Sequence, residues 1–202
     1  MLVRHGTTPS TGSILPGRAA GLHLSERGQA QADAAAQRIA EMSTAPSAVY
    51  ASPLERTQET AKPIARALHK RVRTAQGLIE CDFGDWTGKR LNRLAKLPEW
   101  RQVQRAPSLF RFPGGESFPE MATRAYGSVV SLAQTHRGET IVAVSHADPI
   151  KAVLATAIGA PLDLFQRLTV APCSISAMLI GDEGCLVLCM NSTASLADLV
   201  PA

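Results

Sequence analysis

Two histidines, two arginines and one glutamate stand where this chain could do chemistry on an anion. The chain opens Met1-Leu2-Val3-Arg4-His5-Gly6-Thr7-Thr8, a short apolar run that stops at Arg-His-Gly. A neutral imidazole is a nucleophile near neutral pH, and a guanidinium beside it can hold an oxyanion. The run Thr140-Ile141-Val142-Ala143-Val144-Ser145 ends in the same way, at His146. One histidine after a strand is usually structural; two such strands lying parallel in one sheet would bring both rings to its carboxyl edge, where ligands bind in open α/β sheets. Arg56 falls in the first turn of an expected helix. A cation is unfavourable there unless an anion lies near; a solvated surface arginine is the competing reading. Glu80 opens Glu80-Cys81-Asp82-Phe83-Gly84-Asp85-Trp86-Thr87-Gly88, whose acids, aromatics and glycines suit a pocket-lining loop.

The elements that must position these residues follow from patterning. Leu2 and Val3 suit a buried strand, and Gly6 is expected to end it by accepting backbone angles other residues resist. Residues 10–21, rich in Ser, Thr, Gly and Pro, form a loop walling the same pocket. Ser25 reads as the N-cap of a helix from about Glu26 to Met42, with Ala32, Ala35, Ala36 and Ile39 at helical spacing. Ser47–Ala51 is a strand, and Ser52-Pro53 opens the next helix with proline near its first position. Val72–Thr74 is an edge strand. Lys89–Leu97 looks helical, and Pro98–Glu116, with Arg101, Arg105 and Arg111, is irregular. Ser117 caps a long helix running to about Arg137. The run 140–145 is a central strand buried on both faces. Asp148 and Pro149 are expected as N-cap and first residue of a helix ending at Ile158. Pro161–Leu168 is a short helix, and Ser174–Ile180 with Cys185–Met190 is a hairpin across 181–184. The last ten residues read as a loose tail.

Composition narrows the class. At 202 residues the chain fits one α/β domain, 1–202, and 45% hydrophobic residues argue against disorder. The net charge of +4 is scattered, and 4% aromatics leave no stacking platform for nucleic acid. No apolar run reaches the roughly 18 residues of a membrane span, and no secretory signal is visible. The first strand is short, so residues ahead of Met1 are expected. Cys81, Cys173, Cys185 and Cys189 form no C-x-x-C pair, so no zinc site is indicated. Cys185 and Cys189 read as small core residues on one strand face. Reduced thiols in a cytoplasmic protein are expected, and Cys81 is the thiol whose oxidation would reach Glu80. No cysteine is followed by arginine six positions later, and no G-x-x-x-x-G-K-[ST] loop occurs. A dinuclear metal site of His5, His146, Glu80 and Asp148 would be repelled by Arg4 and Arg56.

With these residues assembled, the chain resembles the histidine phosphatase superfamily, the branch of cofactor-dependent phosphoglycerate mutases and their phosphatase relatives. The matching stretches are Leu2-Val3-Arg4-His5-Gly6, Leu24-Ser25-Glu26-Arg27-Gly28-Gln29-Ala30, Ser52-Pro53-Leu54-Glu55-Arg56-Thr57 with Thr60-Ala61, Glu80 through Gly88, Pro113-Gly114-Gly115-Glu116-Ser117, and Val144-Ser145-His146. They come in the family's order and cover most of the chain. The resemblance implies a three-layer α/β/α sandwich around a mostly parallel central sheet, phosphoglycerate mutase-like, with residues 82–118 as a lid-like insertion. It implies that His5 is the nucleophile that becomes phosphohistidine, that Arg4, Arg56 and His146 bind the transferred phosphoryl, and that Glu80 protonates the leaving oxygen. Thr11 stands where many relatives carry Asn and is taken as a further phosphate-binding candidate. Thr7 after the Arg-His-Gly triplet, and Ala147-Asp148 after His146, also depart from the family pattern.

The implied chemistry fits the residue types. Positioning and charge stabilisation dominate phosphoryl transfer. His5 must be neutral, so its other ring nitrogen should donate to a nearby acceptor. Glu80 must begin protonated, which asks for a pKa raised by burial. His146 is expected to serve as a cation when protonated. No metal and no cofactor are called for. The expected activity is a metal-independent phosphomonoesterase acting on a small phosphorylated metabolite, because the segment between Glu80 and His146 and the tail are short by the standards of the mutase branch. The alternatives are a phosphoglycerate mutase or other phosphomutase, a phosphatase dedicated to a cobalamin-precursor nucleotide or a sugar phosphate, and a non-catalytic module that holds phosphorylated ligands. The expected partner is a small phosphate monoester, with no nucleic acid and no membrane; a homo-oligomer is compatible with the composition.

Overall fold

The computed structural model describes residues 1–193, so from residue 194 on the expected tail lies outside the described residues. Six strands form one sheet: β1 (Leu2–Arg4), β2 (Ala48–Ala51), β3 (Val72–Thr74), β4 (Ile141–Ser145), β5 (Ile175–Gly181) and β6 (Gly184–Ser192), in the order β3-β2-β4-β1-β5-β6. β1 to β4 run parallel, and the β5–β6 hairpin adds antiparallel to β1. Alternation sorts the strand residues between two helical layers. Val3, Val49, Ala51, Val142 and Val144 face α1 (Glu26–Ala40) and α2 (Glu55–Ala67). Leu2, Ala48, Tyr50 and Ala143 face α5 (Phe118–Thr135) and α6 (Ala147–Ala157). The result is the three-layer α/β/α sandwich. Residues 82–118 supply most of a third cluster, Phe83, Trp86, Phe110, Phe112 and Phe118, which packs with Phe165. Their rings stack edge to face, Phe83 to Phe112 at 4.8 Å and Phe118 to Phe165 at 5.1 Å.

Register is what matters for the site. Arg4 pairs with Ser145, and Ala51 with Val144. Ser52 is therefore level with Ser145 and Arg4, and His146 and His5 follow side by side one residue further along β4 and β1. His5 N donates to Ser145 O at 3.0 Å and Ser52 N donates to Val144 O at 3.0 Å, so the ladder runs past the nominal strand ends.

Several local expectations are corrected. Because Ser52 is still bonded into the sheet, α2 cannot begin there. Its N-cap is Leu54, Pro53 stays outside, and Arg56 remains in the first turn. α6 begins sooner than expected, at Ala147 with His146 as N-cap, which leaves Asp148 and Pro149 inside the first turn. A proline is tolerated there because the first N–H groups of a helix have no intrahelical partner. Gly6 is needed for close approach and not for unusual angles: a Cβ on it would lie 2.5 Å from Gly28 O. Lys89–Leu97 shrinks to the single turn α3 (Leu91–Leu94), and Pro98–Glu116 contains the helix α4 (Trp100–Arg105). α4 forms because Val103 is buried and Trp100 stacks on Trp86 at 6.2 Å, a tertiary contact that local patterning does not announce. Cys185 and Cys189 do not share a face. Met178 pairs with Val187 but Ala177 pairs with Cys189, so an extra β6 residue flips the alternation. Cys185 is half-buried and Cys189 exposed.

Candidate active site

Strand ends and helix starts converge at the carboxyl edge of the sheet. The rings of His5 and His146 meet edge to face, centroids 5.2 Å apart. His5 Nδ1 lies 2.7 Å from Gly6 O, an acceptor that keeps the proton on Nδ1 and leaves Nε2 with its lone pair. The turn that carries it is pinned by Gly6 N donating to Thr60 Oγ1 at 3.0 Å. Burial, then the cations Arg56 and Arg4, lower the His5 pKa to about 3. The ring is neutral at any physiological pH.

Arg56 is fully buried and donates from Nη2 to Gly17 O at 2.7 Å, tying loop 10–21 to the site. Arg4 donates from Nη1 to Val170 O at 2.6 Å. Beyond these bonds the donors stand free. Among the described residues, the buried side-chain N and O atoms without a partner are Arg4 Nε, Arg56 Nε, Arg56 Nη1, His146 Nδ1 and Ser174 Oγ. Buried polar groups are nearly always paired, so unpaired atoms on three neighbouring cationic or imidazole side chains call for an anion.

His146 is sealed from solvent and its Nε2 lies 2.8 Å from Ser52 Oγ. Burial, then the cationic Arg56, with Arg4 and Arg124 behind it, hold its pKa well below the usual range. The expected second cation is thus a neutral ring. Glu80 Oε2 lies 3.9 Å from His146 Nδ1, too far for a hydrogen bond. Burial, reinforced by Asp148 and opposed by Arg56 and Arg4, raises the Glu80 pKa to about 7. Glu80 therefore keeps its proton up to near neutral pH, far above an ordinary carboxyl, and its contact with the neutral His146 ring is no ion pair.

Glu80 belongs to no helix or strand. Its carbonyl accepts from Arg18 Nε at 2.9 Å and Arg124 Nη2 at 3.3 Å, and its Oε1 accepts from Cys81 N at 2.8 Å. Arg124 also donates to Gly77 O and Ile79 O, at 2.8 and 2.9 Å. Glu116 bridges the two guanidiniums, 2.8 Å from Arg18 and 2.9 Å from Arg124. Sequence reasoning missed Arg18, Arg124 and Ser52 in these roles. Glu116 and Ser52 were visible inside motifs but had no partner to declare them.

Thr11 is placed differently. Its hydroxyl accepts from Thr8 N at 2.9 Å and lies 3.0 Å from Thr8 Oγ1, and among the described residues no contact joins it to the histidines. Arg111 pairs with Glu120, away from the cluster, while Arg101 and Arg105 are exposed on α4. Cys81 is fully buried, and burial followed by the Glu80 charge pushes its thiol pKa far up. The expected oxidant sensitivity thus has no reactive thiolate behind it. His5, His146, Glu80 and Asp148 do not gather as metal ligands; among the described residues no group of three or more such side chains does.

Comparison with known proteins identifies the family. The family described as the histidine phosphatase superfamily (branch 1) matches residues 1–193. Phosphoserine phosphatase 1 of Hydrogenobacter thermophilus is 32% identical over 177 residues, 87% of this chain and 83% of that one. The bifunctional protein Rv2228c of Mycobacterium tuberculosis is 32% identical over 198 residues; the match covers 97% of this chain but only 54% of that protein's length. The solved mycobacterial glucosyl-3-phosphoglycerate phosphatase Rv2419c superposes with a TM-score of 0.83 at 25% identity, covering 95% of this chain and 97% of its own.

Proposed function

The chain belongs to the histidine phosphatase superfamily, branch 1, and from that premise we propose how its own residues hydrolyse a phosphate monoester. The protein is a phosphoric monoester hydrolase that acts on small phosphorylated metabolites by the histidine phosphatase mechanism. His5 Nε2 attacks phosphorus, and the bond from phosphorus to the leaving oxygen breaks. The proton on Glu80 passes to that oxygen, and the alcohol departs. Glu80, now a carboxylate, takes a proton from water; the water oxygen bonds to phosphorus, the P–N bond breaks, and inorganic phosphate leaves with His5 restored. Arg4, Arg56 and His146 Nδ1 hold the three equatorial oxygens as charge redistributes, each aimed donor being worth roughly 10²–10³ in rate. Thr11, whose hydroxyl bonds to Thr8 three residues beyond His5, is the further phosphate-binding candidate. Residues 82–118 wall the leaving-group side.

The observation that supports this reading best is the set of unpartnered buried donors on Arg4, Arg56 and His146 around a neutral His5. The names of its relatives make carboxylate-bearing three-carbon phosphates and their glycosides the first substrates to try. No helix among the described residues is long and apolar enough to cross a membrane, and with four free cysteines we place the enzyme in the cytoplasm. The test is phosphate release from phosphoserine, 3-phosphoglycerate and glucosyl-3-phosphoglycerate, together with trapping of acid-labile phosphate on His5. Release with a trapped phosphohistidine is expected. Appearance of 2-phosphoglycerate faster than phosphate, in the presence of 2,3-bisphosphoglycerate, would make the protein a mutase. Tight phosphate-ester binding with no label on His5 would make it a ligand-holding module.

A further inference from the structure

We infer that Ser52 is a positioning residue for His146: its hydroxyl donates to Nε2 and fixes the ring proton on Nδ1, the nitrogen that faces the phosphoryl group. Ser52 and His146 are both fully buried, and Ser52 Oγ lies 2.8 Å from Nε2. The hydroxyl has little freedom. The Ser52 backbone is locked by its N–H in the sheet and by its carbonyl, which accepts from Thr57 Oγ1 and Gln58 Nε2, each at 2.8 Å. Ser52 Oγ receives one long contact, from Leu54 N at 3.5 Å. Among the described residues, Nε2 is the acceptor its proton can reach.

Three proton arrangements are conceivable for the pair. With the proton on Nε2, that nitrogen donates to Ser52, and a bare Nδ1 lone pair faces the phosphoryl oxygens: acceptor against acceptor. With both nitrogens protonated, a buried cation sits among Arg4, Arg56 and Arg124, beside neutral His5, and among the described residues only Glu80, at 3.9 Å, is a carboxylate within ion-pair reach. With Ser52 donating, Nε2 is satisfied and Nδ1–H points at the anion. Only this arrangement leaves a neutral ring as a donor, and it needs no second proton. Fixing one imidazole nitrogen through a partner on the other is how proteins set a tautomer. The serine belongs to Ala51-Ser52-Pro53-Leu54-Glu55-Arg56, so one short stretch would supply both a phosphoryl-binding guanidinium and the group that orients the second histidine.

The protonation claim stands on its own geometry; its kinetic consequence rests on the phosphatase reading. The experiment is ¹⁵N NMR of ring-labelled histidine protein between about pH 6 and 8, with the His146 signals assigned by their loss in His146→Gln. The wild-type ring is expected with a protonated Nδ1 and a pyridine-like Nε2. Ser52→Ala should move the proton to Nε2 or average it, while Ser52→Thr should restore the wild-type pattern. On turnover, Ser52→Ala should lower kcat/KM by roughly 10- to 100-fold, as loss of a histidine's orienting partner does at metal sites, and weaken inhibition by inorganic phosphate in step. A wild-type ring protonated on Nε2, or on both nitrogens, overturns the inference. So does Ser52→Ala with an unchanged Nδ1–H signal. The wild-type spectrum decides even where a variant fails to fold. An Nδ1–H ring that Ser52→Ala shifts without any loss of turnover would support the inference and remove His146 from the proposed mechanism instead.

Discussion

The two sides of the site are held by different physics. His5, His146 and Ser52 sit on three adjacent parallel strands, and the backbone ladder fixes their spacing through the Arg4–Ser145 and Ala51–Val144 pairings. Glu80 sits between two 3₁₀ turns, Gln76–Leu78 and Gly84–Trp86, with no ladder at all. Its place is set by side chains: two guanidiniums on its carbonyl and a glutamate bridging them. The strand side cannot shift without breaking the sheet. The Glu80 side can be retuned by substituting one arginine. The phosphoryl group belongs to every substrate and the leaving group to each one separately, so a fixed strand edge facing the first and an adjustable loop facing the second divides the work sensibly.

That division predicts a difference in kind. Changes on the strand side should slow all monoesters alike, and changes on the Glu80 side should discriminate by leaving group. The largest effect is expected for His5→Ala, which removes the nucleophile and should cost more than the roughly 10⁴-fold upper range of an acid–base step for alkyl phosphates and p-nitrophenyl phosphate equally. Activity retained on either substrate would dissolve the comparison.

Next comes Glu80→Gln. Loss of the acid should lower kcat/KM for alkyl phosphates by roughly 10²–10⁴-fold, and for p-nitrophenyl phosphate far less, because its leaving group departs without a proton and phosphohistidine hydrolysis, shared by both, comes after the transfer step that kcat/KM reads. The pH profile carries the same signature. Glu80 works in its protonated form, so kcat/KM for an alkyl phosphate should fall as pH rises through about 7, the raised pKa of this buried carboxyl. His5, lowered to about 3, sets no acid limb above that value. Substrate ionisation near pH 6 is common to both esters, so the difference between their profiles isolates Glu80. A shared basic limb that survives Glu80→Gln would assign it elsewhere.

Arg56→Lys should be smaller, roughly 10²–10³ in kcat, and uniform across leaving groups. Lysine keeps the charge but cannot present several fixed N–H donors while holding Gly17 O. A loss confined to alkyl phosphates would place Arg56 on the wrong side of the division.

The same contrast explains what could be read from the sequence. The strand side was legible because its information is local: apolar β-branched runs, each ending in a histidine, and a helix start carrying Arg56. The three-layer arrangement of the sheet and helices was implied by the family resemblance and not by the periodicity itself. The Glu80 side was legible only as a loop, since its order comes from Arg18, Glu116 and Arg124, which are far apart in the chain and whose pairing leaves no periodic trace. Helix α4 was missed for the same reason, being held by Trp100 on Trp86 across the aromatic cluster. The neutrality of His146 was also out of reach, because a histidine's protonation depends on how deeply it is buried and what lies against its far nitrogen. Ser52 answers that, and in the sequence it looks like a helix starter.

The smallest and most discriminating change is Arg18→Gln. Arg18 donates to the Glu80 carbonyl at 2.9 Å and pairs with Glu116 at 2.8 Å, but its side chain is 30% exposed and Arg124 still holds the same carbonyl. A partly solvated pair of this kind is worth at most about 1 kcal/mol, which is less than tenfold in rate. The whole of that loss should appear with alkyl phosphates, leaving p-nitrophenyl phosphate unchanged and the limb near pH 7 in place. Measured side by side, the two substrates separate a misplaced acid from a weakened phosphoryl grip. An equal loss on both would mean that loop 10–21 transmits the change through Gly17 to Arg56, and that the loop side and the strand side are one mechanical unit.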